Sequence, residues 1–254
     1  MGRFVRSRLA GAAGGVRILG ATPVPPPTSR HHLLLRSSPL HVHRLQLEPI
    51  VQESPTTCTN ACLRMVGRYF GRELSRDEID RALYKDSAGC SFNTDVARIA
   101  RRHGFAAECY GYNLYLTDPA DGALAPSALL DKLRYERAHL RDPWYRPMLD
   151  SIVAALEEGV DYLVRRPAFE IAASHLRQRV PVIAVVSYPA LHGVRGNPFS
   201  GHDVVLTGYD GRRVFFVDPL HGQERSVTRA HFMFALHSRS AIGTSDYFTV
   251  VRPI

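Results

Sequence analysis

Near residue 180 the spacing of apolar residues changes, and this limits the fold of the 254-residue chain more than any other feature. Before it, apolar side chains recur every three or four residues, as on one helix face. Ala61, Cys62, Met65, Val66, Tyr69 and Phe70 form one such stripe, with Arg64 and Arg68 opposite and Gly71 as a stop. Ser75-Arg76-Asp77-Glu78 reads as a capping box for a helix to about Leu83. Thr94 is expected to cap a third helix through Arg102, with Val96, Ile99 and Ala100 inward. Past residue 180 the segments are short, β-branched and apolar. Pro181 to Tyr188 reads as a buried strand, His202 to Gly208 and Arg212 to Asp218 as a hairpin, and Tyr247 to Arg252 as a last strand. Helices first and an antiparallel sheet second is an α+β pattern.

Between these parts, Phe105 to Tyr115 reads as a strand and residues 117–170 as a polar, helical insert. The insert carries two amphipathic helices, near residues 126–140 and 148–158. Trp144 and Tyr145 are expected in the core of a small helical cap there, with the lining of a substrate cleft as the alternative. A short helix over residues 168–178 and another from Thr228 to Ser238 complete the elements. Residues 1–48 mix Gly, Ala, Arg and a proline run without sustained period, and read as a disordered or targeting-like basic tail. The expected organisation is that tail, then one domain over residues 49–254.

The net charge of +8 invites a nucleic-acid reading, but seven arginines of residues 1–47, with no acid among them, account for it. The remainder holds 25 basic against 24 acidic residues, so it offers no global field for phosphates. No apolar run approaches the roughly 20 residues that span a bilayer. Four cysteines at positions 58, 62, 90 and 109 make neither a disulfide framework nor a zinc spacing. The expected setting is reducing and cytoplasmic, with secretion as the alternative.

Cys58 falls in the first turn of the first helix, where unpaired N–H groups and the positive end of the dipole favour a thiolate. Thr57 is the N-cap candidate, and Cys62, one turn on, is a packing residue. A base and an orienting acid come from the hairpin. A three-residue loop, Tyr209 to Gly211, with Gly in the left-handed position places Gly208 opposite Arg212 and His202 opposite Asp218. Directly opposed residues on one face lie about 5 Å apart at Cβ, within reach of an imidazole–carboxylate bond. Cys58, His202 and Asp218 then supply nucleophile, base and orienter. Gln52, on the loop before Cys58, offers an amide that with the Cys58 N–H would cradle an oxyanion.

Gln52 six residues before Cys58, Ala61-Cys62-Leu63 on the same helix, Gly201-His202 leading to Thr207-Gly208-Tyr209-Asp210, and Val217-Asp218-Pro219 form a familiar set. It resembles cysteine peptidase family thirty-nine and its broader relatives, papain-like in fold. Residues 49–112 and 179–220 carry the likeness. It implies Cys58 as nucleophile, His202 as base, Asp218 as orienter and Gln52 as oxyanion donor. It implies a cysteine peptidase that needs no cofactor and no metal, acting on a peptide or protein. Thr57, Thr59 and Asn60 depart from the residues usual around the nucleophile, and Asp203 replaces a usually apolar one. These departures and the insert favour the broader relatives over double-glycine leader peptidases. A papain-like acyltransferase and an inactive peptide-binding module on the same fold are the alternatives.

Overall fold

The computed structural model describes residues 43–85, 91–197, 200–240 and 244–254. The expected basic tail, but for its last six residues, lies outside them, as does Cys90. In chain order the elements are β1 (His43–Arg44), α1 (Cys58–Tyr69), α2 (Arg76–Ala82), α3 (Asn93–Arg102), β2 (Phe105–Gly111), α4 (Pro126–His139), α5 (Arg146–Glu157), β3 (Asp161–Val164), α6 (Phe169–Arg177), β4 (Val182–Ser187), α7 (Tyr188–His192), β5 (Gly201–Tyr209), β6 (Arg213–Asp218), β7 (Gln223–Thr228), α8 (Arg229–Ser240) and β8 (Phe248–Pro253).

One sheet runs β3-β2-β8-β4-β5-β6-β7, with β1 added to β5. Its two faces follow the period of two along each strand. Val182, Ala184 and Val186 of β4, Val204 and Leu206 of β5, and Val214 and Phe216 of β6 share a core with Phe169 and Leu176 of α6 and Phe232 and Leu236 of α8. Ile183, Val205, Val217 and Val251 join the other core, with Leu63 and Met65 of α1, Val96 and Ile99 of α3 and Leu149 and Ile152 of α5. The sheet therefore lies between two helical layers, and the helices after residue 168 cover the face that the earlier ones leave open.

The expected α+β class holds, with corrections of detail. The sheet is antiparallel except at β3, which joins β2 in parallel. A parallel pairing needs a crossover connection. The segment expected as a helical insert, with α4 and α5, is that crossover, and it supplies an edge strand. β3 and β7 escape a sequence reading because β3 has four residues and β7, Gln-Glu-Arg-Ser-Val-Thr, is a polar edge strand. Ser75 caps α2 by accepting from the Glu78 N–H. Thr94 does not cap α3. The helix starts at Asn93, and the Thr94 hydroxyl meets that of Ser151 in the core at 2.6 Å.

Candidate active site

Cys58 is the first residue of α1, at the helix tip where its stripe pattern begins. Thr57 holds the N-cap position, but its hydroxyl turns back to accept from the N–H groups of Glu53 and Ser54 and to donate to the Ser54 carbonyl. Thr57 thus fixes the preceding loop, leaving the first turn of α1 without a side-chain cap. That loop is anchored again where the Gln52 N–H donates to the Pro219 carbonyl at 2.8 Å. Gly222, in the left-handed region at φ +59°, lies so close to Val51 that an added Cβ would stand 2.4 Å from its Cγ2. The loop carrying Gln52 and the turn after Asp218 are therefore one packed unit.

The hairpin does not take the predicted register. Tyr209 pairs with Val214 and Leu206 with Phe216, with a bulge between Leu206 and Gly208. The turn is closed by the Asp210 carboxylate, which accepts from the N–H groups of Arg212 and Arg213. Beyond the bulge Val205 pairs with Val217. Continued, that register sets Asp218 across from Val204, so His202 is its diagonal neighbour on the same face, still within reach of long side chains. His202 Nε2 lies 2.8 Å from Asp218 Oδ1. Asp218 is fully buried, and the same oxygen accepts from the Leu220 N–H at 2.9 Å.

Burial opposes a charge on His202. Hydrogen bonds and charge from Asp218 and Cys58 outweigh it and push the imidazole pKa up to about 10. Burial likewise works against the Asp218 carboxylate, and the bond and charge of His202 hold it below its ordinary value. The buried Cys62 and Cys109 thiols are pushed well up, chiefly by desolvation. Cys58 is the one partly exposed thiol among the described cysteines.

A cavity of about 1080 Å³ brings Gln52, Cys58 and His202 to one surface. Gln52 gives its amide Nε2 to the Ser54 carbonyl at 2.7 Å, which occupies one of its two N–H bonds. Aromatic side chains line the same cavity. Tyr84 stacks on Phe92, Tyr115 stacks on Tyr145 at 4.3 Å, and Tyr188 stands edge-on to His202. Trp144 departs from the expected core position and is 73% exposed on the cavity wall, the alternative placement, while Tyr145 is buried and also lines the cavity.

Two arrangements at the site had no sequence signal, the bonding of Asp203 and the placement of His192. Asp203, next to His202 but on the alternate face, is buried and accepts hydrogen bonds from the Thr59 hydroxyl and the Asn93 amide. Thr59 and Asp203, two of the unusual residues beside Cys58 and His202, thus bond each other and tie α1 to β5. The second is His192, at the end of α7 in a stretch that reads as a Gly and Pro loop. Its Nε2 lies 3.4 Å from Asp218 Oδ2, so the carboxylate stands between two imidazoles. Burial lowers the pKa of His192 despite that carboxylate. His221 is exposed, with its ring 5.8 Å from that of His192.

No curated protein matches the chain. Among solved structures, a double glycine motif protease from an AMS/PCAT transporter, in complex with its leader peptide, is similar at a TM-score of 0.43 and 18% identity, over 83% of this chain and 94% of that one. The peptidase domain of Streptococcus ComA, a bifunctional ABC transporter of a quorum-sensing pathway, gives 0.42 and 11% over 82% and 100%. A C39-like peptidase from Bacillus anthracis gives 0.41 and 13% over 81% and 94%. Residues 46–122 match the model of the Peptidase C39 family. That span takes in Gln52 and Cys58 and ends before His202 and Asp218. Through this segment the chain is similar to the Peptidase C39 family.

Proposed function

We propose that the chain is a cysteine peptidase that cleaves a peptide or amide bond through Cys58, His202 and Asp218. The observation that carries the reading is the meeting of Cys58 and His202 on one cavity, with His202 held by a buried carboxylate 2.8 Å away. The sulfur attacks the carbonyl carbon as a thiolate beside the imidazolium. The oxyanion that forms is held by the Cys58 N–H and the second amide N–H of Gln52. Collapse breaks the C–N bond, and His202 gives its proton to the leaving amine. The neutral ring then takes a proton from water, which attacks the thioester carbonyl and releases the acid and the thiolate. Asp218 holds the ring and stabilises its charged form throughout. Residues 49–254 act as one peptidase domain in this reading.

Thr59 and Asp203 support an active site over an inactive one, because the departures they represent satisfy each other and hold the nucleophile's helix on the strand of the base. Iodoacetamide labelling tests the nucleophile. Cys58 should react fast near neutral pH, Cys62 and Cys109 should stay unlabelled, and His202→Ala should slow Cys58. A peptide library should then be cut by the parent chain and left intact by Cys58→Ala. Equal labelling of these three thiols, or cleavage by the Cys58→Ala variant, would overturn the proposal.

A further inference from the structure

His192 Nε2 and Asp218 Oδ2 face each other across 3.4 Å, and neither has a hydrogen-bond partner although both are buried. A buried donor or acceptor left without a partner destabilises the fold that holds it. The carboxylate is completely enclosed, and the imidazole side chain is 9% exposed. His202 Nε2 adds a third donor atom, and ligand atoms of the three residues lie within 4.8 Å of one another. Tetrahedral zinc with bonds of about 2.0–2.2 Å sets its ligand atoms roughly 3.3–3.5 Å apart, which is the spacing of the facing pair. Two imidazoles and one carboxylate are also a ligand set that suits zinc, whereas calcium and magnesium prefer oxygen alone.

We propose that His192, His202 and Asp218 form a site for a zinc-class dication, which switches the enzyme off by taking the imidazole it needs as a base. The inference rests on the proposed role of His202 for its consequence but not for the binding itself. The metal would accept the ring lone pair of His202 and replace the proton that it shares with Asp218. Cys58 is outside the ligand set, so the brake differs from simple capture of the thiolate. Arg225 competes for the place. Its Nη1 lies 3.4 Å from His192 Nδ1 and 3.9 Å from Asp218 Oδ2. Its side chain is 42% exposed and can swing into solvent to make room. Once His192 ligates through Nε2, its Nδ1 carries the proton and no longer accepts from Arg225.

The test is equilibrium zinc binding to the full chain, read by competition with a chromogenic chelator, together with the visible spectrum of the cobalt(II) form. The expected result is one tight equivalent, kept in Cys58→Ala, with a four-coordinate cobalt spectrum that lacks a thiolate charge-transfer band. His192→Phe keeps the ring packing on Tyr188 but removes the donor atom, and should weaken binding by roughly tenfold or more. Arg225→Gln should bind at least as tightly as the parent. Circular dichroism melts of each variant separate lost ligands from lost folding. Binding that vanishes in Cys58→Ala, binding that is unchanged in a folded His192→Phe, or no binding at all would overturn the proposal. Because Cys58→Ala cannot hydrolyse anything by the proposed route, its zinc binding stands or falls apart from the peptidase reading.

Discussion

Asp218 concentrates the electrostatics of the site in one carboxylate that water does not reach. Each member of the His202–Asp218 pair makes the other's charge cheaper, and this coupling sets a pH window. The His202 pKa is raised from 6.5 to about 10, so its contribution to stability is complete below pH 6.5 and is lost as pH climbs to 10. Asp218 is lowered from 3.8, so its contribution is present above pH 3.8 and is lost as pH falls through the lowered value. Urea denaturation across pH should therefore show stability declining from pH 7 to 10 in the parent chain and much less in His202→Gln. The same alkaline decline in both proteins would assign it to other groups. The identities of this pair are legible in the sequence because turn chemistry and the count along two strands bring them near each other. Their geometry is not, because the bulge between Leu206 and Gly208 and the Asp210-centred turn shift the register. His192 is not legible at all, since nothing in its local sequence places it beside a residue 26 positions away.

At the scale of elements, α1 shows how a pattern is strengthened by contacts that it does not contain. Its apolar stripe predicts the buried face, and Ala61, Cys62, Leu63, Met65 and Val66 are buried. Gly67 breaks helix propensity, and Ala there would gain about 1 kcal/mol on an isolated helix. An added Cβ would stand 2.9 Å from the Arg72 carbonyl oxygen and 2.9 Å from Leu74, where the chain doubles back after the helix. Gly67→Ala should therefore destabilise the protein by about 1–3 kcal/mol, the sign opposite to propensity, in a chemical denaturation series. A stabilised variant would mean that the turn over residues 70–74 moves freely. The strands follow the same lesson. β4 and β5 are apolar enough to be recognised, while β3 and β7 are strands only because a neighbour supplies the hydrogen bonds.

For the whole molecule, the segment over residues 117–170 is the main surprise. Leu129 and Leu133 of α4 and Leu149 and Ile152 of α5 are buried in the same core as α1 and α3. Tyr162 of β3 donates to the Ser245 carbonyl at 2.5 Å, across the sheet. The segment is therefore structural, and it also brings Trp144 to the cavity. Leu133→Ala should cost about 2–5 kcal/mol of global stability. Trp144 is the single tryptophan, so its fluorescence reports this segment while far-UV circular dichroism reports the whole. The two probes should trace one coincident unfolding transition in the parent and in Leu133→Ala. An earlier fluorescence transition would show that the segment melts by itself. Among the described residues no helix is long and apolar enough to cross a membrane.

Local chemistry is written in the order of residues: which side chains line one helix face, where a helix must start, and which turn residues permit a hairpin. On those grounds the α+β class and most of the helices and strands follow from residue order alone, and Cys58, His202, Asp218 and Gln52 stand out in it as candidates. The register of β5 on β6, the second helical layer, the Thr59–Asp203 bond and the approach of His192 to Asp218 emerge in the folded chain alone. All but the first of these depend on contacts between segments far apart in the chain, and the first on a bulge that turn chemistry does not announce. Their energies come from packing and burial, which no local pattern encodes.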